Sequence, residues 1–501
     1  MKTKRMLLVL MALLMLCPIL SACGGGNGNS GDTNVPIINN EAINGDNQNE
    51  YVKDDLPDTL DYGGAEFTVL CGETRYGKSW NEVYTGDTVN SAVYERQAAI
   101  EERLNIDFVF DLQPDGYNDM STFIQHLENA ANNGDAPDLV QTYNLTPALM
   151  ATRGLCSDLA QTEYLNFEKP WWSATLLENT AINGKVYFTT DNCSWNNLRN
   201  MIAIFVDKKL FDDFHYGKGI DTLYDMVDNK TWTMENMFEL VSNCYVNTNG
   251  DADVNDGDTF GLSVASQAWM ESWYYAAGFT TMEQDANGVW SFNIATTEVI
   301  DFIDWFRLKF YNNDACAKDA KQYRQFCNGQ AMFYLSSLAL VEQKIANPFA
   351  VLPLPMYTAE QGAYYTHFSN TYDMYAIPRL CEDQARASAV FECMASEAYR
   401  QIAPAYFENY LKVRNATDGR LQKMYDIIRE SAVFDMGISY SAALNISGIN
   451  GAEENYPQYF VRRSLHNTPK WESLGAIWTT DVNMQYLSLW KSIQDQLTAL
   501  Q

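Results

Sequence analysis

Alternating apolar runs and amphipathic stretches predict a β-α-β-α-β order near the start of the folded chain. Strands rich in β-branched and aromatic residues are predicted at 66–71, 106–110 and 138–142. Helices with apolar residues at helical spacing are predicted at 88–104 and 121–131. This order favours a parallel sheet covered by helices, and such sheets bind ligands beyond the carboxyl ends of their strands.

A different pattern, in residues 181–210, predicts a passage between two lobes. Two extended runs, 185–190 and 201–207, flank a polar and aromatic patch at 191–200. A solvated loop rarely holds a tryptophan, whereas a cleft that binds a polar ligand often combines an aromatic ring with amides and a carboxylate. The chain is therefore predicted to leave one lobe here, enter a second and line the groove between them.

The later part of the chain is predicted to alternate strands with longer helices. Thr233 is a predicted N-cap for a helix that ends at Cys244, and residues 297–310 carry an apolar helical stripe. A further helix is predicted from 384, and residues 401–501 read as largely helical. The proline-spaced apolar run at 351–355 resembles a return passage between two lobes, which would complete a hinge.

Several short motifs, in this order, resemble extracellular solute-binding proteins of ABC importers, and most closely the sugar-binding family that includes maltose-binding proteins. The motifs are Ala-Pro-Asp-Leu-Val at 136–140, Asn-Gly-Lys-Val-Tyr at 183–187, Asp-Lys-Lys-Leu-Phe at 207–211 and Gly-Gln-Ala-Met at 329–332. The resemblance implies an α/β, two-lobed periplasmic-binding-protein-like (type II) fold with hinge crossings. The predicted division is a lipoprotein signal peptide at 1–22, a flexible tether at 23–60, lobe 1 at 61–190 and 353–400, and lobe 2 at 191–352 and 401–501.

Length and charge agree with this organisation. A chain of 501 residues exceeds one ordinary core, so two lobes are expected. The formal net charge of -30 excludes ordinary nucleic-acid binding, which needs clustered lysine and arginine.

The N-terminus predicts export and lipid attachment. Three basic residues in the first five positions precede an apolar run at 6–16 that is too short to span a membrane. The sequence Leu20-Ser21-Ala22-Cys23 resembles the bacterial lipobox, which implies cleavage before Cys23 and lipidation of its thiol. The protein is then expected at the extracellular face of the cell membrane. An ordinary secretory signal with a chance cysteine is the alternative.

The remaining cysteines show no metal-binding spacing. No Cys-x-x-Cys occurs among them, and most are predicted to fill the apolar core. A disulfide between Cys316 and Cys327 stays open, because spacing alone does not decide it.

Candidate ligand-binding residues come from the strand ends, the crossings and the aromatic-rich segment at 267–278. Sugar rings stack on aromatic faces, and their hydroxyls bind carboxylates and amides. The predicted binding residues are Arg75, Tyr76, Trp80, Tyr143, Asn144, Trp172, Asp191, Trp195, Trp269, Trp273, Asn370 and Tyr372. Burial in the core is the alternative for Trp172 and for the 267–278 aromatics.

Residues 247–258 resemble a calcium-binding loop. Oxygen-bearing side chains alternate as in EF-hand-type loops, giving the candidate ligands Asn247, Asn249, Asp251, Asp253, Asn255 and Asp258. Ala252 stands where such loops usually carry glycine, and Asp258 replaces the usual glutamate. A surface turn stabilised by its own Asn and Asp side chains is the alternative.

The predicted function is that of a lipid-anchored, monomeric receptor that captures a carbohydrate and passes it to an ABC permease. No cofactor is required, although a structural calcium ion is compatible with the loop above. The sequence lacks His-Glu-x-x-His, Gly-x-Ser-x-Gly and the phosphate-binding loop, so no common catalytic motif is present. A receptor for peptides or other polar solutes, or an anchored glycoside hydrolase using Glu271, are the alternatives.

Overall fold

The structure is a computed structural model that describes most of the chain. The described residues are 52–80, 84, 86–190, 194–251, 253–285, 289–318, 323–369, 371–413, 419–444, 457–465 and 480–499. Their elements belong to a unit that spans Asp54–Gln501. Cys23, Asp191 and Asn370, all named in the sequence predictions, lie outside the described residues.

Two four-stranded sheets form the framework. The strands are β1 Ala65–Gly72, β2 Ile106–Gln113, β3 Leu139–Tyr143, β4 Ile202–Asp207, β5 Phe260–Val264, β6 Met282–Gln284, β7 Trp290–Phe292, β8 Ala331–Ser337, β9 Phe349–Leu352 and β10 Asp373–Ala376. The first sheet has the order β10-β3-β1-β2 and the second has the order β5-β8-β4-β9. Strands β6 and β7 pair as a separate ribbon.

The first sheet is parallel except at one edge. β1 pairs in parallel with both β2 and β3, as the sequence pattern predicts. β10 runs antiparallel to β3, so that its first residue, Asp373, lies beside Tyr143, the last residue of β3. The carboxyl ends of three strands and the start of a fourth therefore meet at one edge. In the second sheet β4 is antiparallel to β8 and β9, and β5 is parallel to β8.

Helices cover both sheets and make up most of the C-terminal part. The α-helices are α1 Glu73–Ser79, α2 Thr88–Leu104, α3 Met120–Asn133, α4 Thr146–Thr152, α5 Ala174–Thr180, α6 Trp195–Arg199, α7 Lys208–Phe214, α8 Asp221–Asp228, α9 Met234–Val241, α10 Ser272–Ala276, α11 Thr297–Tyr311, α12 Arg324–Cys327, α13 Gln384–Pro404, α14 Gly419–Glu430, α15 Met436–Ser439, α16 Pro457–Leu465 and α17 Thr480–Ala499. A π-helical segment, Ala405–Val413, follows α13.

Residues at the two ends of α2 explain why this helix begins and ends where the sequence predicts. Asp87 accepts hydrogen bonds from the main-chain nitrogens of Val89 and Asn90, and Asn105 ends α2 in the left-handed region at φ 50°. Short polar side chains cap a first turn well, and asparagine tolerates positive φ. Thr233 caps α9 as predicted, although that helix ends at Val241 instead of Cys244.

The first predicted run of the crossing, residues 185–190, does not form a strand. Lys185 forms a local bridge with Ile182, and Thr189 pairs with Tyr375 at the edge of the first sheet. The main-chain nitrogen of Thr189 donates to the Tyr375 oxygen at 3.0 Å, and the reverse bond is 2.8 Å. Thr190 contacts β10 through its side chain instead, since its Oγ1 donates to the main-chain oxygen of Asp373 at 2.6 Å.

Two crossing segments connect the sheets. The first spans 189–201, apart from 191–193, and the second spans 353–372, apart from 370. They meet where Met201 pairs with Phe368, and the nitrogen of Ile202 donates to the His367 oxygen at 2.9 Å. The two passages between the sheets thus lie side by side.

The described cysteines are free thiols, including Cys316 and Cys327, so the bridge left open by the sequence does not form. Cys193 lies outside the described residues. Across the described ranges, no helix combines the length and apolar character that a membrane crossing needs.

Candidate ligand-binding cavity

A cavity of about 510 Å³ lies at the carboxyl ends of β1, β2 and β3. We call it the strand-end cavity. Two of its residues begin α1, three follow β2, one ends β3 and two come from the crossing segments. They are Thr74, Arg75, Asp115, Gly116, Tyr117, Tyr143, Asn196 and Thr371. The cavity therefore lies where both crossing segments meet the first sheet.

Arg75 is the central charged group of the strand-end cavity. Its Nε donates to Asp115 Oδ2 at 2.5 Å, and its Nη1 donates to Asp373 Oδ1 and to the main-chain oxygen of Thr371 at 3.0 Å. Only 5% of the residue is exposed. Burial alone would lower the pKa of Arg75, but the carboxylates of Asp373 and Asp115 reverse this and raise it. The guanidinium stays charged and holds β1, β2 and β10 together.

Both carboxylates are held by further hydrogen bonds. Asp115 Oδ1 accepts from Thr142 Oγ1 at 2.9 Å and from the Tyr143 nitrogen at 3.2 Å. Asp373 Oδ2 accepts from Gln141 Nε2 at 3.0 Å. A buried carboxylate is stable only when such partners replace its water, so the cavity floor is rigid before any ligand arrives.

Amide side chains tie the first crossing segment to this floor. Asn196 Nδ2 donates to the Thr371 oxygen at 2.9 Å and to Asp373 Oδ1 at 3.2 Å. Asn197 Oδ1 accepts from the Asp373 nitrogen at 2.7 Å. Ser194 caps α6 by accepting from the Asn196 nitrogen at 3.2 Å. The Asn-rich patch of the sequence thus connects the first crossing segment to the second crossing segment and to β10 by hydrogen bonds.

Trp195, which precedes Asn196, is half-buried and has both cationic and aromatic side chains around its ring. Lys78 Nζ is 4.2 Å from the centroid of its ring, and the Arg199 guanidinium is 5.4 Å away. Tyr406 packs at 6.0 Å between ring centroids.

The structure brings two of the predicted binding residues together at the strand-end cavity. Arg75 and Tyr143 line it, and Trp195 directly precedes the lining residue Asn196. The Arg75 guanidinium carbon lies 5.4 Å from the Tyr143 ring centroid. Trp269 is half-buried elsewhere, where its Nε1 donates to Ser369 Oγ at 3.0 Å.

Three predicted residues near the strand ends are placed away from the cavity. Trp80 is 1% exposed, because its Nε1 donates at 2.7 Å to the buried Gln141 Oε1. Tyr76 packs edge-on against Phe110 at 4.9 Å, and Asn144 is wholly buried. Trp80 and Asn144 cannot contact a ligand in this conformation.

Trp172, Trp273 and Tyr372 are also corrected to core positions. Trp172 packs on Phe391 at 5.1 Å, and Trp273 packs on Phe306 at 5.4 Å. Tyr372 is 4% exposed, and its ring packs on Phe368 and Phe434. In this conformation all three rings pack among core side chains, and none of them lines the strand-end cavity.

Six cavity residues are missing from the predicted set. They are Thr74, Asp115, Gly116, Tyr117, Asn196 and Thr371. The turn Pro114-Asp115-Gly116-Tyr117 follows β2, so the rule that located Arg75 and Tyr143 also identifies it.

The close approach of Gly72 to Asp115 gives a first testable prediction. A Cβ on Gly72, the last residue of β1, would overlap the Asp115 side chain, whereas a Cβ on Gly77 in the following helix, α1, meets nothing within 4 Å. Gly72→Ala should therefore lower the free energy of unfolding by about 1–3 kcal/mol through overpacking. Gly77→Ala should raise it by about 0.5–1 kcal/mol through helix propensity. Urea unfolding of both variants measures this, and equal effects would contradict the geometry.

The 247–258 loop is held by its own side chains. Asn247 Oδ1 accepts from the Gly250 nitrogen at 2.6 Å, and Asp251 Oδ1 accepts from the Asp253 nitrogen at 2.9 Å. Asp258 accepts from the Thr248 nitrogen at 3.1 Å and the Asn255 nitrogen at 3.0 Å. In the part of the chain that is described, no group of three or more His, Cys, Asp or Glu side chains is placed to hold a metal ion.

Glu271, the glycosidase candidate, is 1% exposed and paired with Arg462, whose Nη2 donates to Glu271 Oε1 at 2.9 Å. It lies outside the strand-end cavity. A second cavity, of about 560 Å³, has Gln161, Lys185 and Tyr187 in its lining.

Comparison with solved structures identifies the fold. No protein-family model matches the sequence, and no curated protein matches it. The chain has the type II periplasmic-binding-protein-like fold, which confirms the predicted fold class.

Three of the matching structures show how far the likeness extends. The sugar-binding protein MalE from Xanthomonas citri is 11% identical, with a TM-score of 0.54 over 87% of this chain and 98% of that one. The galacto-N-biose-/lacto-N-biose I-binding protein of the ABC transporter from Bifidobacterium longum, in complex with lacto-N-biose, is 12% identical, with a TM-score of 0.53 over 87% and 99%. The GacH receptor of Streptomyces glaucescens, solved with acarbose, is 13% identical, with a TM-score of 0.50 over 86% and 99%.

Proposed function

We propose that the protein is a solute-binding receptor that captures a carbohydrate in the strand-end cavity and delivers it to an ABC importer. The single observation that carries this proposal is the position of the cavity. Its lining joins three strand ends of the first sheet to Asn196 and Thr371 of the crossing segments. Proteins of this fold whose structures are named above bind lacto-N-biose and acarbose.

The chemistry of the lining suits a hydroxyl-rich ligand. Thr74 offers an exposed hydroxyl, Asn196 an amide and Tyr143 an aromatic ring, whereas the Asp115 carboxylate is already held by protein donors. Sugars combine hydroxyl groups with apolar ring faces, so both parts of the ligand find partners in one cavity. The Asn196 amide, which is held by its bonds to Thr371 and Asp373, would help to orient the ligand, because a polar group that is already held loses little freedom on binding.

Capture is proposed to proceed by closure about the two crossing segments. These segments lie side by side at the Met201–Phe368 pair, so they can bend together without breaking either sheet. A ligand that contacts both halves favours the closed form by its differential affinity for that form.

Calorimetric titration of the full chain against a panel of neutral and acidic oligosaccharides tests this function. A dissociation constant in the micromolar range or below for at least one sugar supports it. Binding of peptides with no response to any sugar would favour a receptor for another polar solute. Release of product from chromogenic glycosides would instead indicate a hydrolase.

The proposed location is the extracellular face of the cell membrane, with a lipid on Cys23 and a single copy of the chain acting alone. The sequence support is the basic start, the short apolar run and the lipobox-like Leu20-Ser21-Ala22-Cys23. In cells fed with labelled palmitate, the wild-type protein should carry the label and Cys23→Ala should not. A labelled Cys23→Ala protein would exclude this anchor.

Calcium binding by the 247–258 loop is a separate proposal, supported by the alternation of its oxygen side chains. A calcium titration of the full chain that leaves the melting temperature unchanged would argue against it.

A further inference from the structure

Lys78 lies in α1, one helical turn beyond the edge of the strand-end cavity. It lies four residues after the lining residue Thr74, and residues with this spacing share one face of a helix. Its ammonium is half-buried above the Trp195 ring at 4.2 Å. No carboxylate in the described ranges forms a salt bridge with Lys78, which separates it from Arg75.

Trp195 offers a second unused donor at the same place. Its Nε1 is buried and has no hydrogen-bond partner among the residues that the structure places. A buried donor left unpaired costs free energy comparable to a lost hydrogen bond. The Lys78 ammonium and the unpaired Trp195 Nε1 thus lie next to each other, and Trp195 directly precedes the lining residue Asn196.

The local charge at this point is positive. Arg199 also lies over the Trp195 ring, and its Nε donates to Glu342 Oε1 at 2.7 Å. The charges of Arg199 and Glu342 cancel, so Lys78 gives this group of side chains a net charge of plus one. Burial, and then the nearby Arg199, lower the pKa of Lys78. The floor of the cavity has the opposite balance, because two carboxylates surround the single charge of Arg75.

We propose that the ligand is an acidic oligosaccharide whose anionic group binds Lys78 Nζ and Trp195 Nε1. A uronate carboxylate and a sulfate ester share the required chemistry, namely a negative charge with acceptor oxygens on a sugar ring. The inference rests on the proposed function, because it names the class of carbohydrate that the cavity takes. The neutral part of the ligand would occupy the floor at Asp115 and Asn196, and the charged group would lie toward α1.

The test compares charged and uncharged forms of one sugar by calorimetry on the full chain. Trigalacturonate, trimannuronate and triglucuronate are each titrated beside the corresponding methyl esters, and sulfated disaccharides form a separate arm. We expect at least one acidic probe to bind about tenfold or more tightly than its uncharged counterpart. The carboxylate and sulfate arms show which anionic group is taken.

Lys78→Met removes the positive charge and keeps an unbranched side chain of similar length. It should weaken binding of the acidic probe about tenfold or more, and more than it weakens the uncharged one. Lys78→Arg should retain the preference for the acidic probe. Lys185→Met, at the second cavity, is the matched control and should leave both affinities unchanged. Melting temperatures confirm that each variant is folded.

The outcomes separate the two proposals. Equal binding of the acidic and neutral forms, or equal losses for both in Lys78→Met, would overturn the anionic ligand and leave the carbohydrate receptor standing. If no sugar in the panel bound, both the anionic ligand and the carbohydrate receptor would be overturned.

Discussion

Arg75→Met is expected to lower the free energy of unfolding by about 3–5 kcal/mol, because it leaves buried carboxylates without their cation. Arg75 donates to Asp115 Oδ2 at 2.5 Å and also to Asp373 Oδ1, and both aspartate side chains are 0% exposed. Removing the guanidinium leaves two buried negative charges near each other without a cation to balance them. Their remaining partners are hydrogen-bond donors without a full charge, and these do not replace an ion pair.

The same substitution should abolish ligand binding, since the strand ends that form the cavity are joined through Arg75. Urea unfolding of the wild type and variant measures the stability, and calorimetry with the sugar identified above measures the binding. Arg153→Met is the matched control, because Arg153 pairs with Glu128 at 3.2 Å while its side chain is 42% exposed. Exposed pairs contribute about 0–1 kcal/mol, so this control should be nearly neutral. A similar loss in the two variants would contradict the proposed role of the buried ion pairs.

The second large effect concerns Glu392, whose stability contribution should depend on pH near neutrality. Burial raises the pKa of Glu392 from 4.5 to about 7, although the Asn166 nitrogen and the indoles of Trp172 and Trp171 oppose the shift. Trp171 Nε1 donates to Glu392 Oε1 at 3.1 Å, and Trp172 Nε1 donates to Oε2 at 3.0 Å. The two tryptophans therefore pack around one buried carboxyl group.

The direction of the pH effect follows from the raised pKa. The folded state holds the Glu392 proton more tightly than the unfolded state does, so the contribution is complete below pH 4.5. It is lost as the pH rises through about 7. At 1.36 kcal/mol for each unit between 4.5 and about 7, the loss amounts to about 3 kcal/mol.

Glu392→Gln removes this titration and isolates it from all other groups. The difference in unfolding free energy between wild type and variant should change by about 2–3 kcal/mol between pH 5 and pH 8.5, with the wild type losing more as pH rises. Urea unfolding at several pH values measures it. Glu382→Gln, at an exposed position just before the same helix, is the control and should track the wild type. Parallel pH profiles for Glu392→Gln and wild type would contradict the raised pKa.

The sequence predicts the first sheet well because local signals and tertiary structure agree there. Alternating strands and helices, an Asp87 cap and Asn105 at positive φ define α2 without reference to distant residues. The run at 185–190 has the composition of a strand, but it pairs with the first sheet through a single bridge, between Thr189 and Tyr375. Strand pairing in this run depends on β10, which is distant in sequence. The local pattern of apolar residues carries no information about such a partner.

The candidate site was only partly predictable, for a related reason. The rule that ligands bind at strand ends located Arg75 and Tyr143, and it would have located Asp115 had it been applied to β2. Aromatic residues were less informative. The indole of Trp80 is satisfied by Gln141, and that of Trp172 by Glu392, and both partners come from distant parts of the chain. Sequence alone does not show whether an indole donates to a buried side chain or faces a ligand.

The central claim is that the strand-end cavity binds the ligand, and filling it tests that claim most directly. Thr74 is exposed in the lining, so Thr74→Trp should block the cavity without disturbing the core. Gln161→Trp places the same bulk in the second cavity. Calorimetric titration with the best-binding sugar should show binding lost in Thr74→Trp and retained in Gln161→Trp, with both proteins as stable as the wild type. Undiminished binding in Thr74→Trp would contradict the account.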